Sequence, residues 1–146
     1  MPSQEQIQHR IERFPGMCRE AGLKVTPQRS AVYAVLAGAE HHPSPEEVYG
    51  ALHKTYPSIS LATVYKILDL FQTRGYVRRV PSLEKVRRYD ARTEPHHHAI
   101  CSACGKIQDV GAEALGGSAP SIPERLGFAV QGFEILFHGL CESCGG

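Results

Sequence analysis

The sequence has no apolar run approaching the roughly 20 residues that a bilayer-spanning helix needs. Its first residues are polar and charged, and they lack the apolar core of a secretory leader. No nucleophile or general-base motif accompanies its single stretch rich in histidine and cysteine. These absences argue against a membrane protein, a secreted protein and a hydrolase. We therefore expect a soluble, cytoplasmic protein that contacts no membrane and is not an enzyme.

The net charge is also low, with a formal value of only +1. The charges are nevertheless unevenly distributed. Residues 1–90 contain 13 Lys and Arg against 9 Asp and Glu, a net charge of +4, whereas residues 91–146 contain 3 against 6, a net charge of −3. A basic first part followed by an acidic second part indicates a polyanion-binding segment joined to a cation-binding one.

Four of the five cysteines form two C-x-x-C pairs, Cys101 with Cys104 and Cys141 with Cys144, each followed by glycine. Without a secretory leader, this pattern favours metal binding over disulfides. The two-residue spacing lets a tight turn direct both sulfurs at one ion, so the four thiols predict a closed tetrahedral zinc site with a structural role. A dithiol redox centre is the alternative. Cys18 has no partner in the pattern.

Three consecutive histidines precede the first cysteine pair. On a strand, His96 and His98 point to one face and His97 to the other. Asp90 and Asp109 can complete a shell of nitrogen and oxygen ligands, which suits Fe(II) or Mn(II) and leaves the thiolates to zinc. The spacing therefore predicts a second metal site, with a solvated histidine cluster as the alternative.

Hydrophobic spacing and capping residues predict four helices in the first part of the chain. The first covers residues 4–21, and the others follow the N-caps Thr26, Ser44 and Ser60, the last with a buried stripe of Leu61, Val64, Leu68 and Phe71. Two β-rich runs, 76–80 and 86–89, then predict a hairpin. Helices followed by a basic hairpin are typical of a winged helix-turn-helix domain.

A polar stretch at 91–95 marks a change in composition. Beyond it we predict strands at 98–100, 107–110 and 128–137, with a short helix within 113–126 whose length glycines and prolines limit. The fold class is therefore α+β. We place a DNA-binding domain at 1–90, a linker at 91–95 and a metal-binding domain at 96–146.

The outward face of the fourth helix and the hairpin carry the candidate DNA contacts. Tyr65 suits apolar contact with thymine methyl groups, and Lys66 and the hairpin arginines suit phosphates or base edges. A solvated surface is the alternative. The candidate residues are Ala62, Thr63, Tyr65, Lys66, Arg78, Arg79 and Arg87, with Arg88 beside them.

Four motifs together resemble the ferric uptake regulator (Fur) family of bacterial metal-dependent repressors, over nearly the whole chain. They are Thr26-Pro27-Gln28-Arg29, Ser60-Leu61-Ala62-Thr63-Val64-Tyr65, His96-x-His98-Ala99-Ile100-Cys101-x-x-Cys104-Gly105-Lys106 and Cys141-x-x-Cys144. The resemblance implies a winged helix, a small C-terminal α/β dimerisation domain, a structural zinc on the four paired cysteines, and a homodimer on palindromic, AT-rich DNA.

The resemblance also implies a regulatory Fe(II) or Mn(II) site on His42, Asp90, His96, His98 and Asp109. The spacing alone leaves His42 as either a loop residue or a ligand. Iron-uptake regulators of the family usually have Glu at both carboxylate positions, whereas peroxide-sensing repressors (PerR-type) have Asp. Both residues are Asp in this sequence.

The expected function is therefore a metal-dependent repressor that senses peroxide, with two metals per subunit. An iron or other metal uptake regulator is the alternative within the family, and a dithiol oxidoreductase is the alternative outside it. His97 occupies a position that ligates an accessory metal in some members, but Glu134 and His138 do not complete such a site.

Overall fold

The computed structural model describes residues 2–118, 120–121 and 123–146. The chain forms two compact units. The helical unit comprises Met1–Val80 and Lys85–Thr93, and the sheet unit comprises Pro81–Glu84 and Glu94–Gly146. The predicted domain limits at 90 and 96 remain a prediction. Within the described ranges, no helix has the length and apolar character that crossing a membrane requires.

Each of the four long helices begins directly after a hydroxyl side chain that accepts a hydrogen bond from a backbone N–H of the first turn. These caps are Ser3, Thr26, Ser44 and Ser60, and the helices are α1 Gln4–Glu20, α2 Pro27–Gly38, α3 Pro45–Leu52 and α4 Leu61–Thr73. The prediction of four helices is confirmed. Helix α1 runs through Pro15 and ends before Gly22, whose φ of +66° suits glycine.

The hairpin that follows α4 pairs β1, Arg78–Val80, with β2, Arg88–Asp90, in antiparallel register. Both strands are shorter than the predicted runs. Tyr76 and Val77 are buried in the core before β1 begins, and the Tyr76 hydroxyl donates to the carbonyl of Met17 at 2.9 Å. The first residues of the predicted strand therefore anchor the hairpin to α1.

Aromatic rings form the centre of the helical unit. The ring of Phe14 stacks on Tyr33 at a centroid distance of 4.3 Å and meets Phe71 edge-on at 5.3 Å. Helix α4 contributes the buried face Val64, Ile67, Leu68 and Phe71. The predicted stripe was wrong at one position, because Leu61 is half-buried and Ile67 takes its place in the core.

The sheet unit is built on β3, His96–Cys101, which lies between β4, Ile107–Gly111, and β5, Leu136–Gly139. Strand β4 is antiparallel to β3, and β5 is parallel to it. A final short helix, α5, covers Glu142–Gly145.

Two predictions for this unit were wrong. The strand expected at 128–137 begins only at Leu136. Residues 119 and 122 of the helix expected within 113–126 lie outside the described residues, and the described part forms 3-10 turns at Ala112–Leu115 and Glu124–Leu126 in place of an α-helix. Gly116 and Gly127 follow these turns with left-handed φ angles of +59° and +66°. A residue in the left-handed region cannot continue a right-handed helix, so each 3-10 helix ends after about one turn.

The sheet unit exposes several large apolar side chains. Phe128 is 78% exposed, and the others at least two-fifths exposed are Leu126, Val130, Phe133, Phe137 and Leu140, with Leu83 from the hairpin tip. An exposed apolar surface of this extent on a small sheet is typical of a protein–protein interface.

We expect Phe14→Ala to destabilise the helical unit by about 3–5 kcal/mol, because it removes a buried ring that contacts three other aromatic residues. Urea unfolding followed by far-UV circular dichroism measures the change. The neighbouring exposed Arg13→Ala serves as the control and should change the free energy of unfolding by less than about 0.5 kcal/mol. Equal effects of both substitutions would contradict this description of the core.

Candidate metal centres and nucleic-acid interface

The four paired cysteines come together in the sheet unit. Their sulfurs all lie within 4.8 Å of one another, and Cys104 Sγ is 3.7 Å from Cys141 Sγ. A tetrahedral zinc site with bonds of about 2.3 Å requires sulfur separations of about 3.8 Å. All five cysteines of the chain are free thiols. The donor set and its spacing therefore fit a four-cysteine zinc site.

Tight turns orient both cysteine pairs. In the first pair, the N–H of Gly105 donates to the carbonyl of Cys101 at 2.9 Å, and Gly105 adopts a φ of +74°. In the second, the N–H of Cys144 donates to the carbonyl of Cys141 at 2.9 Å. The Ser102 N–H donates at 2.8 Å to the carbonyl of Gly139, the last residue of β5. The pairing of β3 with β5 therefore brings the two turns together.

The electrostatics of the cluster favour a cation. Backbone N–H groups of Cys141 and Cys104 lower the pKa of the Cys101 thiol to about 6. The opposite holds for Cys144, where hydrogen bonds with the Cys141, Cys104 and Cys101 sulfurs raise the pKa to about 12. Negative charge on one sulfur thus opposes ionisation of the next, and a divalent cation removes this conflict because it binds all four as thiolates.

A second group of ligating side chains lies elsewhere in the sheet unit. His96 Nε2 is 3.2 Å from His98 Nε2, and Asp109 Oδ1 is 3.7 Å and 3.6 Å from these two nitrogens. Donors bound to one ion at about 2.1 Å lie about 3.0–3.5 Å apart. Two imidazoles and one carboxylate on one side of an ion are typical of non-haem Fe(II) sites. The antiparallel pairing of β3 with β4 brings Asp109 beside His98, on the side of the sheet to which His96 also points. That these three side chains bind one ion stays a prediction.

His97 lies on the opposite face of β3. Its side chain is buried, its ring stacks on Phe133 at 5.4 Å, and its Nδ1 accepts a hydrogen bond from the Ile135 N–H at 3.3 Å. This histidine packs within the sheet unit and is not part of either cluster of ligating atoms.

The helical unit contains the other two predicted ligands. His42 Nδ1 lies 3.9 Å from Asp90 Oδ2, and Asp90 Oδ1 accepts from the Arg92 N–H at 2.7 Å. The His42 side chain is 9% exposed, whereas that of His41 is 66% exposed. Burial therefore distinguishes the two adjacent histidines: His42 is enclosed beside Asp90, whereas His41 lies at the surface, with its Nε2 4.0 Å from Glu47 Oε2.

Arg88 fixes the loop that carries His42. Its guanidinium donates to the His42 carbonyl at 3.0 Å and to Glu47 Oε2 at 3.1 Å. Glu47 also accepts from the Ser44 N–H at 2.7 Å. Burial by itself would raise the pKa of the Glu47 carboxyl, but the Ser44 hydrogen bond and the Arg88 charge outweigh burial and lower that pKa. The guanidinium of Arg88 thus forms hydrogen bonds within the helical unit, a role that the sequence pattern did not indicate.

The exposed face of α4 carries an ordered group around Tyr65. The Tyr65 hydroxyl donates to Glu46 Oε1 at 2.6 Å, and this bond lowers the pKa of the Glu46 carboxyl. Arg87 lies 5.8 Å above the Tyr65 ring centroid and forms a 3.1 Å ion pair with Asp69. Neither Glu46 nor Asp69 was predicted to have a role at this surface.

The remaining candidate DNA contacts differ in exposure. Thr63 Oγ1 is 2.9 Å from Ser60 Oγ and so takes part in the cap of α4. Arg78 is half-buried, and the exposed members are Ala62, Lys66, Arg79 and Arg87.

One contact in the sheet unit was missed by sequence reasoning. Glu134 Oε1 lies 2.6 Å from His98 Nδ1. The two residues are 36 positions apart, and only the parallel pairing of β5 with β3 brings them together. The irregular segment before β5 contains no periodic pattern from which this register could be read.

A winged helix joined in one chain to a sheet unit with clustered cysteine, histidine and carboxylate side chains defines a metal-responsive DNA-binding regulator. The comparison with known proteins specifies the family. The family model described as "Ferric uptake regulator family" matches residues 20–145. The chain therefore belongs to the ferric uptake regulator family, and the resemblance noted in the sequence is confirmed.

Among curated relatives, the peroxide-responsive repressor PerR of Staphylococcus aureus strain Mu50 is 34% identical over 140 residues, which cover 96% of this chain and 95% of the relative. Among solved structures, the Helicobacter pylori ferric uptake regulator Fur gives a TM-score of 0.75 at 25% identity, covering 100% of this chain and 98% of that one. PerR from Streptococcus pyogenes gives 0.54 at 28% identity, covering 92% of each chain.

We expect Cys104→Ser to abolish stable zinc binding, because a hydroxyl does not replace a thiolate ligand. Zinc bound by the purified chain, measured by native mass spectrometry after exposure to a chelator, should be lost together with part of the thermal stability. Ser143→Ala changes an exposed residue between the second pair of thiols and should retain the zinc. Full zinc retention by Cys104→Ser would rule out the four-thiol site.

Proposed function

We propose that this protein is a peroxide-sensing, metal-dependent transcriptional repressor. The observation that carries the proposal is the group of His96 Nε2, His98 Nε2 and Asp109 Oδ1, with mutual distances of 3.2–3.7 Å. This donor set suits Fe(II) or Mn(II) rather than the thiolate-bound zinc. The Asp residues at positions 90 and 109 and the 34% identity to a peroxide-responsive repressor also support it.

In this proposal, the four paired cysteines hold a structural zinc and the regulatory ion is bound by His42, Asp90, His96, His98 and Asp109. The first two ligands belong to the helical unit and the other three to the sheet unit. One ion bound by all five would couple the two units. Metal would then act as a corepressor, because recognition helices of a dimer must meet successive major grooves about 34–36 Å apart. A hundredfold preference of the ion for the DNA-binding state corresponds to about 2.7 kcal/mol of coupling.

The chain's own side chains supply the sensing element. Fe(II), when bound, would activate peroxide, so that one peroxide oxygen is inserted into a carbon–hydrogen bond of a ligand imidazole and the other leaves as water. His96 is buried with Nε2 directed toward the other donors, and His42 is also buried, beside Asp90. A ligand imidazole that gains an oxygen atom becomes a poorer ligand, so the ion is released and DNA binding is lost.

The DNA-binding part of the proposal assigns α4 to the major groove of palindromic, AT-rich DNA bound by a homodimer. Tyr65 presents its ring for contact with thymine methyl groups, because Glu46 already holds its hydroxyl. Lys66, Arg79 and Arg87 supply positive charge for phosphates or base edges, with Ala62 and Thr63 at the helix start and Arg78 on the hairpin.

An iron-uptake regulator is the second candidate. The observation in its favour is the TM-score of 0.75 with a ferric uptake regulator over the whole chain. A dithiol oxidoreductase is less well supported, because the four thiols form one cluster rather than two separate pairs. We propose no catalytic role for any residue.

We expect peroxide to abolish DNA binding of the Fe(II) form and not of the Mn(II) form. The probe is a duplex selected from a random pool with the Mn(II) protein, and peptide mass measures oxygen addition. Oxygen should appear on the peptide containing His96 or His42, and His138→Ala, which changes an exposed histidine, should respond like the wild type. An Fe(II) form that keeps its DNA affinity and gains no oxygen would instead support the iron-uptake regulator.

We expect Lys66→Ala to reduce the slope of log binding constant against log salt concentration by about 1, as for one lost phosphate contact. Fluorescence anisotropy at several salt concentrations measures the slope. Lys54→Ala removes the same charge from an exposed position outside α4 and should leave the slope unchanged. A slope unchanged in Lys66→Ala would remove this residue from phosphate binding.

A further inference from the structure

His98 is constrained at both ring nitrogens. Its Nδ1 lies 2.6 Å from Glu134 Oε1, while its Nε2 lies 3.2 Å from His96 Nε2 and 3.6 Å from Asp109 Oδ1. A carboxylate accepts hydrogen bonds and does not donate them, so the hydrogen of the neutral ring resides on Nδ1. The lone pair is therefore on Nε2, the nitrogen directed toward the other ligating atoms.

The neighbouring histidine has the same tautomer for a different reason. His96 Nδ1 lies 2.7 Å from the backbone carbonyl of Glu94, which is an acceptor only, so His96 Nε2 also carries a lone pair. Two lone pairs that face each other at 3.2 Å repel unless a cation lies between them. The Glu94 carbonyl and the Glu134 carboxylate thus leave both Nε2 lone pairs available to a cation. Of these two acceptors, only the one that contacts His98 is charged.

The sheet itself fixes Glu134 in position. The residue after it, Ile135, accepts from the His98 N–H at 3.1 Å and donates to His97 Nδ1 at 3.3 Å. Strand β5 then begins with Leu136 opposite His98. The backbone of Glu134 is therefore held beside β3, and its carboxylate reaches His98 without a long flexible loop.

We infer that Glu134 is a positioning residue for the regulatory metal site, acting through His98 and not as a ligand. This inference rests on the proposed function only in taking His98 as a metal ligand. A carboxylate behind a ligating imidazole fixes the tautomer and the ring orientation and makes the distal nitrogen a stronger donor. Loss of such a partner typically weakens metal binding by about 10- to 100-fold.

The test uses the full-length, zinc-loaded chain and Mn(II) as the probe. Free Mn(II) measured by electron paramagnetic resonance gives the affinity of wild type, Glu134→Ala, Glu134→Gln and the control Glu124→Ala, which removes the same charge elsewhere in the sheet unit. We expect Glu134→Ala to lose about 10- to 100-fold in affinity and Glu134→Gln less than about 10-fold, because the amide oxygen still accepts from Nδ1. The control should match the wild type.

A second measurement separates positioning from ligation. Long-range nitrogen NMR of His98 before Mn(II) addition should show the hydrogen on Nδ1 in wild type and Glu134→Gln, and a mixture of tautomers in Glu134→Ala. Retained zinc in each variant shows that the sheet unit has folded.

Three results would overturn the inference. The first is an unchanged Mn(II) affinity in Glu134→Ala. The second is an equal loss in the Gln and Ala variants with the His98 tautomer unchanged, which would make Glu134 a ligand. The third is a wild-type chain that binds no Mn(II), which would overturn the proposed function as well. Mn(II) binding without any response to peroxide would refute only the peroxide sensor.

Discussion

The parallel pairing of β5 with β3 is the constraint on which the sheet unit depends. This register places Gly139 beside Cys101, so the second cysteine pair follows immediately and meets the first. It also places Leu136 beside His98, which brings the preceding Glu134 to the histidine ring. One strand pairing therefore brings the two cysteine pairs together and places Glu134 beside His98.

Stability is divided unequally between the two units. The helical unit contains a continuous core of buried apolar side chains from all four long helices, the hairpin and their connections. The sheet unit buries Ile100 and Cys101 together with three histidines, and it exposes several large apolar residues. A unit of this size with so small an apolar core usually depends on a metal, a partner or both. The four-thiol cluster fits a metal ion, and the exposed apolar surface fits a partner chain.

Much of the helical unit followed from local sequence signals. Ser44 and Glu47 form the expected capping box, and Ser60 caps α4, because these interactions depend on residues three positions apart. Each C-x-x-C turn was equally predictable, because its two thiols are only three positions apart. For these features, short-range chemistry and the final structure agree.

The remaining features depend on contacts distant in sequence. The roles of Arg88 and Glu134 arise from partners 41 and 36 positions away, and no periodic pattern marks either residue. Hydrophobicity in 128–137 suggested a long strand, but most of that apolar surface is exposed rather than paired in the sheet. Apolar composition alone does not distinguish a buried strand from a surface that another chain covers.

The cysteine cluster has a further consequence for the long connection between its two pairs. Cys104 and Cys141 are 37 positions apart, and the cluster brings the two ends of this long connection together. The entropy cost of closing a flexible loop rises only logarithmically with its length, by about 0.6 kcal/mol for each doubling. Only the part of the connection between β4 and Glu134 can therefore change length at little cost, because Asp109 in β4 and Glu134 beside β5 are held by their contacts with β3. An insertion in that part would lengthen a loop whose two ends the sheet already holds close together.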